Sequence, residues 1–493
     1  MRRFGVTSLL TVLALTCAVA AGASPAQAST SSHHKGKPTV HRVGGKVHKA
    51  WPRTGGKGPR TALARWLARQ VGPTKVRACT KRVHGKAVKC RRKTAPRGGA
   101  PLAGGQLGGS KSHAVSMTPG EDLDPIAYAA ASTSSTPTTS TGTSNLALVR
   151  SYSIPTDDPS YTRLLNWSWT YDSAITAAAF TAFGDTSEAQ QLLDQLAALQ
   201  HTDGSIEIAF NVADGTTESV FRSGTIATVG LAASLYDRTT HTNRYLAMEE
   251  HAASYLISLQ GSNGLVRGGP DVSWYSTQHN LLTYAFLNNL GDELVADGSR
   301  TIATPYFTAA TKISTAINSN LLVQSGGQAW FIEGLNDSVQ SLDADALGIL
   351  YLVSQGQTSL AQKVATYTNS AFAVSGRSIT KSTATDTYNN TYAATGPFSG
   401  FKPFIGTGAP DVMWTEGSAE MVLSDLAVGQ SSGAVSTSLL GIAALTPTSG
   451  PLMADRTVTN QAYSAEFHVW PSAAAGAWLM LATAHPTLFA GQS

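Results

Sequence analysis

The chain reads as an all-α protein, a closed double ring of six helical hairpins, or (α/α)6 toroid, preceded by a disordered basic N-terminal segment. Three observations predict it. First, a hairpin-sized pattern recurs: Leu199-Gln200 followed by HTDGS and Leu259-Gln260 followed by GSNGLV stand 60 residues apart. Each pair leads through a polar loop into a helix, SGTIATVGLAASL or LLTYAFLNNLG. Second, six such units can be traced from SYSIPTDDP to SAEFHVWPSAAAGAWLMLA, each an outer helix, a polar loop and an inner helix rich in Ala and Gly, as crowded helices require. An open solenoid would show polar capping faces on its end units, and none is visible. Third, six of the seven Trp after the N-terminal tail fall at loops or helix starts, with only Trp478 well inside a helical run. A ring gathers those junctions around one cavity.

Taken in order, residues 1–28 form an export signal. Arg2 and Arg3 supply the positive region, Ser8 to Gly22 the apolar core, and Ala26-Gln27-Ala28 the cleavage site before Ser29. Its apolar core is too short to span a membrane comfortably. The expected mature chain is secreted and monomeric. Residues 29–145 are Gly-, Lys-, Pro-, Ser- and Thr-rich and read as tail and linker. Cys79 and Cys90, ten positions apart in an exported chain, are expected to form a local disulfide.

Charge divides sharply. Residues 29–120 carry 21 Lys and Arg and no acid, whereas 121–493 carry 13 against all 31 acids. The basic tail has no nucleic-acid reading module, so no specific nucleic-acid partner is expected. Within it, Pro59 to Val71 reads as a short helix with Leu63, Trp66, Leu67 and Val71 opposite Arg60, Arg65 and Arg69. It would either attach the protein to an anionic cell-wall or membrane surface, or be a solvated or cleaved pro-segment.

Residues 146–493 would be the toroid. Its junctions bring Trp169, Tyr171 and Asp172 from unit one, and Glu218 and Arg222 from unit two. Unit three gives Trp274, Tyr275, Gln278 and His279; unit four Asp343 and Asp345; unit five Asp411, Trp414 and Glu416; unit six Glu466 and Trp470. Indoles with carboxylates in an acidic concavity suit carbohydrate, whose rings offer C–H faces to indole and hydroxyls to acids. Glycosidic hydrolysis needs one carboxyl held protonated and a second as base or nucleophile. Glu416, flanked by Trp414 and Gly417 in a crowded apolar setting, is the expected general acid, Asp172 its partner and Asp343 the reserve. Trp169, Trp274, Tyr275, Trp414 and Trp470 would stack on sugars, and Arg222 and His279 would orient hydroxyls. Asp172, Asp343, Glu218 and Glu466 could equally be helix caps, His279 a core histidine and Asp203 a turn residue. No HExxH, Walker loop, GxSxG or Cys/His metal cluster appears, so no cofactor and no metal is expected.

The segments NWSWTYDSAITAAAFTAFGD, LQHTDGSI, DVSWYSTQHNLLTYAFL and DVMWTEGSAEMVLS resemble the six-hairpin glycosidase superfamily, over about Ser151 to Ala484. The resemblance implies a secreted glycoside hydrolase of the (α/α)6 toroid type and names no single family. It departs at Gln278, where related sequences usually carry Glu, which removes one candidate carboxylate. Two other readings share the fold: a polysaccharide lyase using Tyr or His as base, disfavoured by the acidic body, and a non-catalytic glycan or cell-wall binding toroid. A terpene cyclase is more remote, because no DDxxD run appears.

Overall fold

The computed structural model describes residues 59–72, 80–83, 86–89, 145–156, 158, 160–379, 395–445, 450–460 and 465–489, all within one compact unit, Ala50–Ser493. The signal segment, most of the tail, Cys79 and Cys90 lie outside the described residues. The strands Thr80–Val83 and Lys86–Lys89, between those cysteines, pair antiparallel with Thr80 opposite Lys89.

Six inner helices carry the body: α2 (Thr170–Phe183), α4 (Ser223–Thr240), α6 (Thr277–Ala296), α8 (Leu342–Ser354), α10 (Thr415–Ala427) and α12 (Ala473–Ala484). Each packs on the next, and α12 packs on α2, so the ring closes. Among the described residues of the body, five outer helices alternate with them along the chain: α3 (Thr186–Leu199), α5 (Leu246–Ser258), α7 (Arg300–Asn320), α9 (Thr358–Ala371) and α11 (Gly433–Leu445). The two sets differ as their surroundings demand. Outer α3 buries Ala189, Leu192, Leu193 and Leu196, one stripe at helical spacing. Inner α4 is buried from Ser223 to Asp237 on every face. Small residues make that possible, since a Cβ on Gly230 would run into the Phe286 ring.

The ring is locked at one end by a repeated hydrogen bond. The first helical amide of each inner helix has no partner within its own helix, and each donates to a carbonyl in the next unit's loop. Thr170 donates to Ile208 (2.9 Å), Ser223 to Gly268 (2.9 Å), Thr277 to Glu333 (2.8 Å), Leu342 to Pro403 (2.9 Å) and Thr415 to Met453 (3.0 Å). Ala473 of the sixth helix donates back to Ser151 before the first (2.9 Å). Six equivalent bonds returning to their origin define a closed (α/α)6 toroid.

The repeated Leu-Gln pairs have the same cause. Gln200 Nε2 donates to the carbonyls of Gly204 (3.3 Å) and Met248 (3.0 Å), and Gln260 Nε2 to those of Gly264 (2.8 Å) and Ala309 (3.1 Å). Each amide thus pins the turn after one outer helix to the backbone of the next. Gly204, at φ +91°, presses so close that a Cβ would collide with the His251 carbonyl. Gly204→Ala is therefore expected to cost roughly 2–4 kcal/mol, from overpacking plus the left-handed backbone; urea unfolding measures it, and a loss under about 0.5 kcal/mol, the scale of an ordinary surface substitution, would contradict the contact.

The tail helix departs from expectation. α1 (Pro59–Gln70) forms where the sequence places it, but its apolar face is turned to the body. Leu63, Trp66 and Leu67 are buried, and they close over Gly476 of α12, where a Cβ would meet the Trp66 ring at 3.0 Å and Leu63 and Leu67 at 3.3 Å. Arg150 Nε donates to the Gly72 carbonyl (3.1 Å), and Ser153 Oγ donates to Gln70 Oε1 (3.1 Å). α1 also packs on α11, so it takes the sixth outer place that the described residues of 146–493 leave unfilled. Arg65 and Arg69 stay on the exposed side. Neither attachment of the apolar stripe to an outside surface nor a solvated pro-segment matches this packing.

Candidate active site

Because the first amide of each inner helix is fixed, the second residue of each occupies an equivalent place around the ring. Those residues are Tyr171, Gly224, Gln278, Asp343, Glu416 and Ala474. Two of them are hydrogen-bonded to each other. The Tyr171 hydroxyl donates to Glu416 Oε1 at 3.0 Å and accepts from Trp478 Nε1 at 2.8 Å. α2 and α10 are not neighbours in the ring, so Tyr171 reaches Glu416 across α12, where the small side chain of Ala474 gives clearance. Burial holds the Tyr171 hydroxyl well above its ordinary range, and the charges of Glu416 and Glu420 reinforce that.

Glu420 lies one turn along α10 from Glu416, on the same face. It is buried, and neither of its carboxylate oxygens has a hydrogen-bond partner. Burial raises its pKa well above the carboxyl range, and the charges of Glu416 and Asp343 add to that. Asp343 itself is buried, and burial pushes it up to about 6. Glu416, Glu420 and Asp343 therefore form one electrostatic group roofed by Tyr171. Sequence reasoning passed over Glu420, although its i, i+4 spacing from Glu416 in TEGSAEM was a readable signal.

Asp172 stands apart. One residue beyond Tyr171, it is turned about 100° around α2 and is wholly buried beside Ser151, with one oxygen unpartnered. Burial pushes it up to about 7, and none of the forces acting on it comes from Glu416 or Asp343. Asp345 is structural: it accepts from the Phe331 amide (2.6 Å) and the Thr368 hydroxyl (2.8 Å), tying α8 to α9.

Several expected sugar contacts are wall instead. Trp414 is 0% exposed, held under Gly417 and beside Phe467. Trp470 is also buried; its ring stacks on His468 at 3.7 Å and its Nε1 donates to Asp158 (2.9 Å). Trp169 is buried edge-on against Tyr152. No sugar can lie on these three faces. They sit at or beside the tightly packed helix entries, where large rings fill the wedge between neighbouring units. His279 is likewise core: fully buried, with Nδ1 2.7 Å from Ser223 Oγ, it is pushed down to about 3 by burial and the Arg222 charge. Arg222 pairs with Asp271 (2.7 Å) and lies over the Trp274 ring at 5.8 Å, while Trp274 packs edge-on against His279 at 5.3 Å. That group braces units two and three. Asp411 is an exposed brace: both oxygens are engaged by Arg377, with Lys402 Nζ at 3.3 Å, and the Arg377 hydrogen bond leads in lowering it to about 2. Glu466 pairs with His468 Nε2 at 2.7 Å. Burial would raise its pKa, but the His468 bond and charge, with Arg163, bring it below the ordinary value. Glu218 is buried in a short strand opposite Ala209. Asp203 serves its turn by accepting from Ser205. Tyr275 remains partly exposed, and Gln278 sits buried in its ring position.

The raised acids set a pH dependence. A carboxyl whose pKa is higher folded than unfolded contributes stability that is full below the unfolded value and is lost as pH rises through the folded one. Asp343 at about 6, Asp172 at about 7 and Asp345 at about 8 place that loss between pH 5 and 8. The midpoint of thermal unfolding is expected to be higher at pH 5 than at pH 8, and Asp172→Asn should flatten part of the slope. A midpoint that rises with pH would refute it.

No protein-family model matches this chain, and no curated protein matches it. Solved structures do. A wild-type glycosidase superposes with TM-score 0.51 at 13% identity, over 68% of this chain and 91% of that one. A glycosidase variant solved in complex with glucose gives TM-score 0.51 at 13% identity, over 69% and 91%. At such identity the likeness shows the shared toroid fold.

Proposed function

We propose that this chain is an exported glycoside hydrolase acting on a neutral or basic glycan, with Glu416 as general acid and Asp343 as its partner carboxylate. One observation carries the reading: Glu416, Asp343 and Tyr171 occupy equivalent second positions of three inner helices, Tyr171 is hydrogen-bonded to Glu416, and the charges of Glu416 and Asp343 both act on the buried Glu420. A protonated carboxyl beside a second carboxylate is what glycosidic cleavage requires. Glu416 delivers its proton to the leaving oxygen, Tyr171 fixes the oxygen that stays unprotonated, and Asp343 either activates water or attacks the sugar. The toroid shared with solved glycosidases agrees with this chemistry. Asp343 is preferred to Asp172 as the partner because its charge reaches the Glu416–Glu420 face, whereas Asp172 is engaged by Ser151 and feels no charge from Glu416.

The lyase reading loses support at the same residues. Its base would be Tyr or His, but the Tyr171 proton is held more tightly than usual and His279 is sealed in the core. The test is reducing-sugar release by the chain from Ser29 onward against neutral, amino and acidic polysaccharides. Release from a neutral or amino glycan supports the proposal. Ultraviolet-absorbing unsaturated products would indicate a lyase, and oligosaccharide binding without turnover a recognition protein.

A further inference from the structure

A second group of carboxylates lies far from Glu416. Asp237 is 14 residues into α4 and Glu293 is 16 residues into α6, about 21 Å and 24 Å along their helices at 1.5 Å per residue. Glu249 reaches them from the first turn of outer α5. All three are buried, and one oxygen from each lies within 4.8 Å of the others. None of this serves the proposed hydrolysis.

A cluster of acids alone would not mark a site, but Glu249 adds a separate fact. Its side chain is 0% exposed, and neither carboxylate oxygen receives a hydrogen bond from outside the cluster, only the Glu293 carboxyl lying within reach; Glu293 Oε1 is likewise buried without a donor. A fully desolvated carboxylate without donors is costly unless a proton or a cation neutralises it. The nearby Arg238 guanidinium attracts Glu249 and Glu293 through space, but the hydrogen bonds it makes go to the carbonyls of Ser234 and Thr487, both at 3.4 Å. The Asp237 carboxylate is meanwhile aimed by two donors, the Thr242 hydroxyl and the Tyr245 amide, both at 2.7 Å. Such outer hydrogen bonds are how proteins orient metal ligands.

We propose that Asp237, Glu249 and Glu293 bind a calcium ion that ties α4, α5 and α6 together at the end of the toroid away from the candidate active site. All-oxygen donors select a hard cation. Calcium–oxygen distances of about 2.3–2.6 Å let one ion bridge oxygens up to about 5 Å apart, which covers the separation here. Magnesium requires shorter bonds and near-ideal octahedral geometry, whereas calcium accepts an irregular set of carboxylates completed by water or backbone carbonyls. Glu249 can bind through both oxygens, with Glu293 Oε1 and Asp237 beside it.

The alternative is metal-free: Glu249 and Glu293 share a proton. The two differ in what calcium does to the chain from Ser29 onward after EDTA treatment and dialysis. Expected are close to one bound calcium per chain by atomic emission, and an unfolding midpoint several degrees higher in millimolar calcium chloride, with a smaller response to magnesium chloride. Glu249→Gln should lose both the bound ion and the shift. Absence of bound calcium in the unaltered chain, an equal response to magnesium, or an undiminished shift in Glu249→Gln would each overturn the proposal. The calcium measurement on the unaltered chain stands even if the variant fails to fold, and neither readout depends on glycan turnover.

Discussion

Glu416→Gln is expected to lower kcat by about 10²–10⁴-fold, the usual worth of a positioned general acid, with KM little changed. Glutamine keeps the shape and still accepts the Tyr171 hydroxyl, so binding survives while the transferable proton is gone. Asp343→Asn should lose turnover on a similar scale, whereas Asp172→Asn should keep it, because Asp172 is engaged by Ser151 and no charge from Glu416 acts on it. Tyr171→Phe removes a hydrogen bond to the protonated Glu416 carboxyl, worth about 0.5–1.5 kcal/mol, so a loss of roughly 2–10-fold in kcat/KM is expected. Asp343 must be ionised to act, and burial places its pKa at about 6. Turnover should therefore fall about tenfold per pH unit below 6. Glu420, whose pKa is raised well above the ordinary range, is expected to be neutral, so Glu420→Gln should change little while Glu420→Ala opens a hole beneath Glu416. Full turnover in Glu416→Gln would remove that residue from the mechanism, and full turnover in Asp343→Asn would remove its partner.

The architecture was legible because each unit meets the same packing demand. Gln200 and Gln260 repeat since each must pin a turn to the next outer helix, and Ala and Gly fill the inner helices since no larger residue fits beside rings such as Phe286. Glu416 stood out because Trp414 and Gly417 flank it in a crowded apolar stretch, whereas Asp343 read equally as a helix cap and ranked behind Asp172. What stayed hidden depends on rotation and contact, which residue type does not report. Asp172 looked equivalent to Glu416, yet one step along a helix points it elsewhere, and Tyr171 takes the ring position. Trp169 and Trp414 read as sugar platforms, but a tryptophan at a helix entry also serves as a wedge, and the packing of neighbouring units decides between them. α1 was obscured by its basic, low-complexity flanks, since its own apolar stripe says only that something covers it.

That covering supports the second large effect. A chain beginning at Asn145, the natural cut if the tail were dispensable, is expected to be far less stable than one beginning at Ser29. Removing α1 takes away Leu63, Trp66 and Leu67 and exposes the surface of α12 around Gly476. Truncating one such residue already costs about 3–5 kcal/mol for Trp→Ala and 2–5 for Leu→Ala. Against a typical total of about 5–15 kcal/mol, loss of all three leaves a body at the margin of folding. Trp66→Ala in the longer chain isolates the contact and should lower the midpoint of urea unfolding without changing the slope much. Equal midpoints for the two chain lengths would make α1 an accessory to an eleven-helix ring; a large loss confirms it as the sixth outer helix, and makes part of the N-terminal segment structural to the body that carries Glu416.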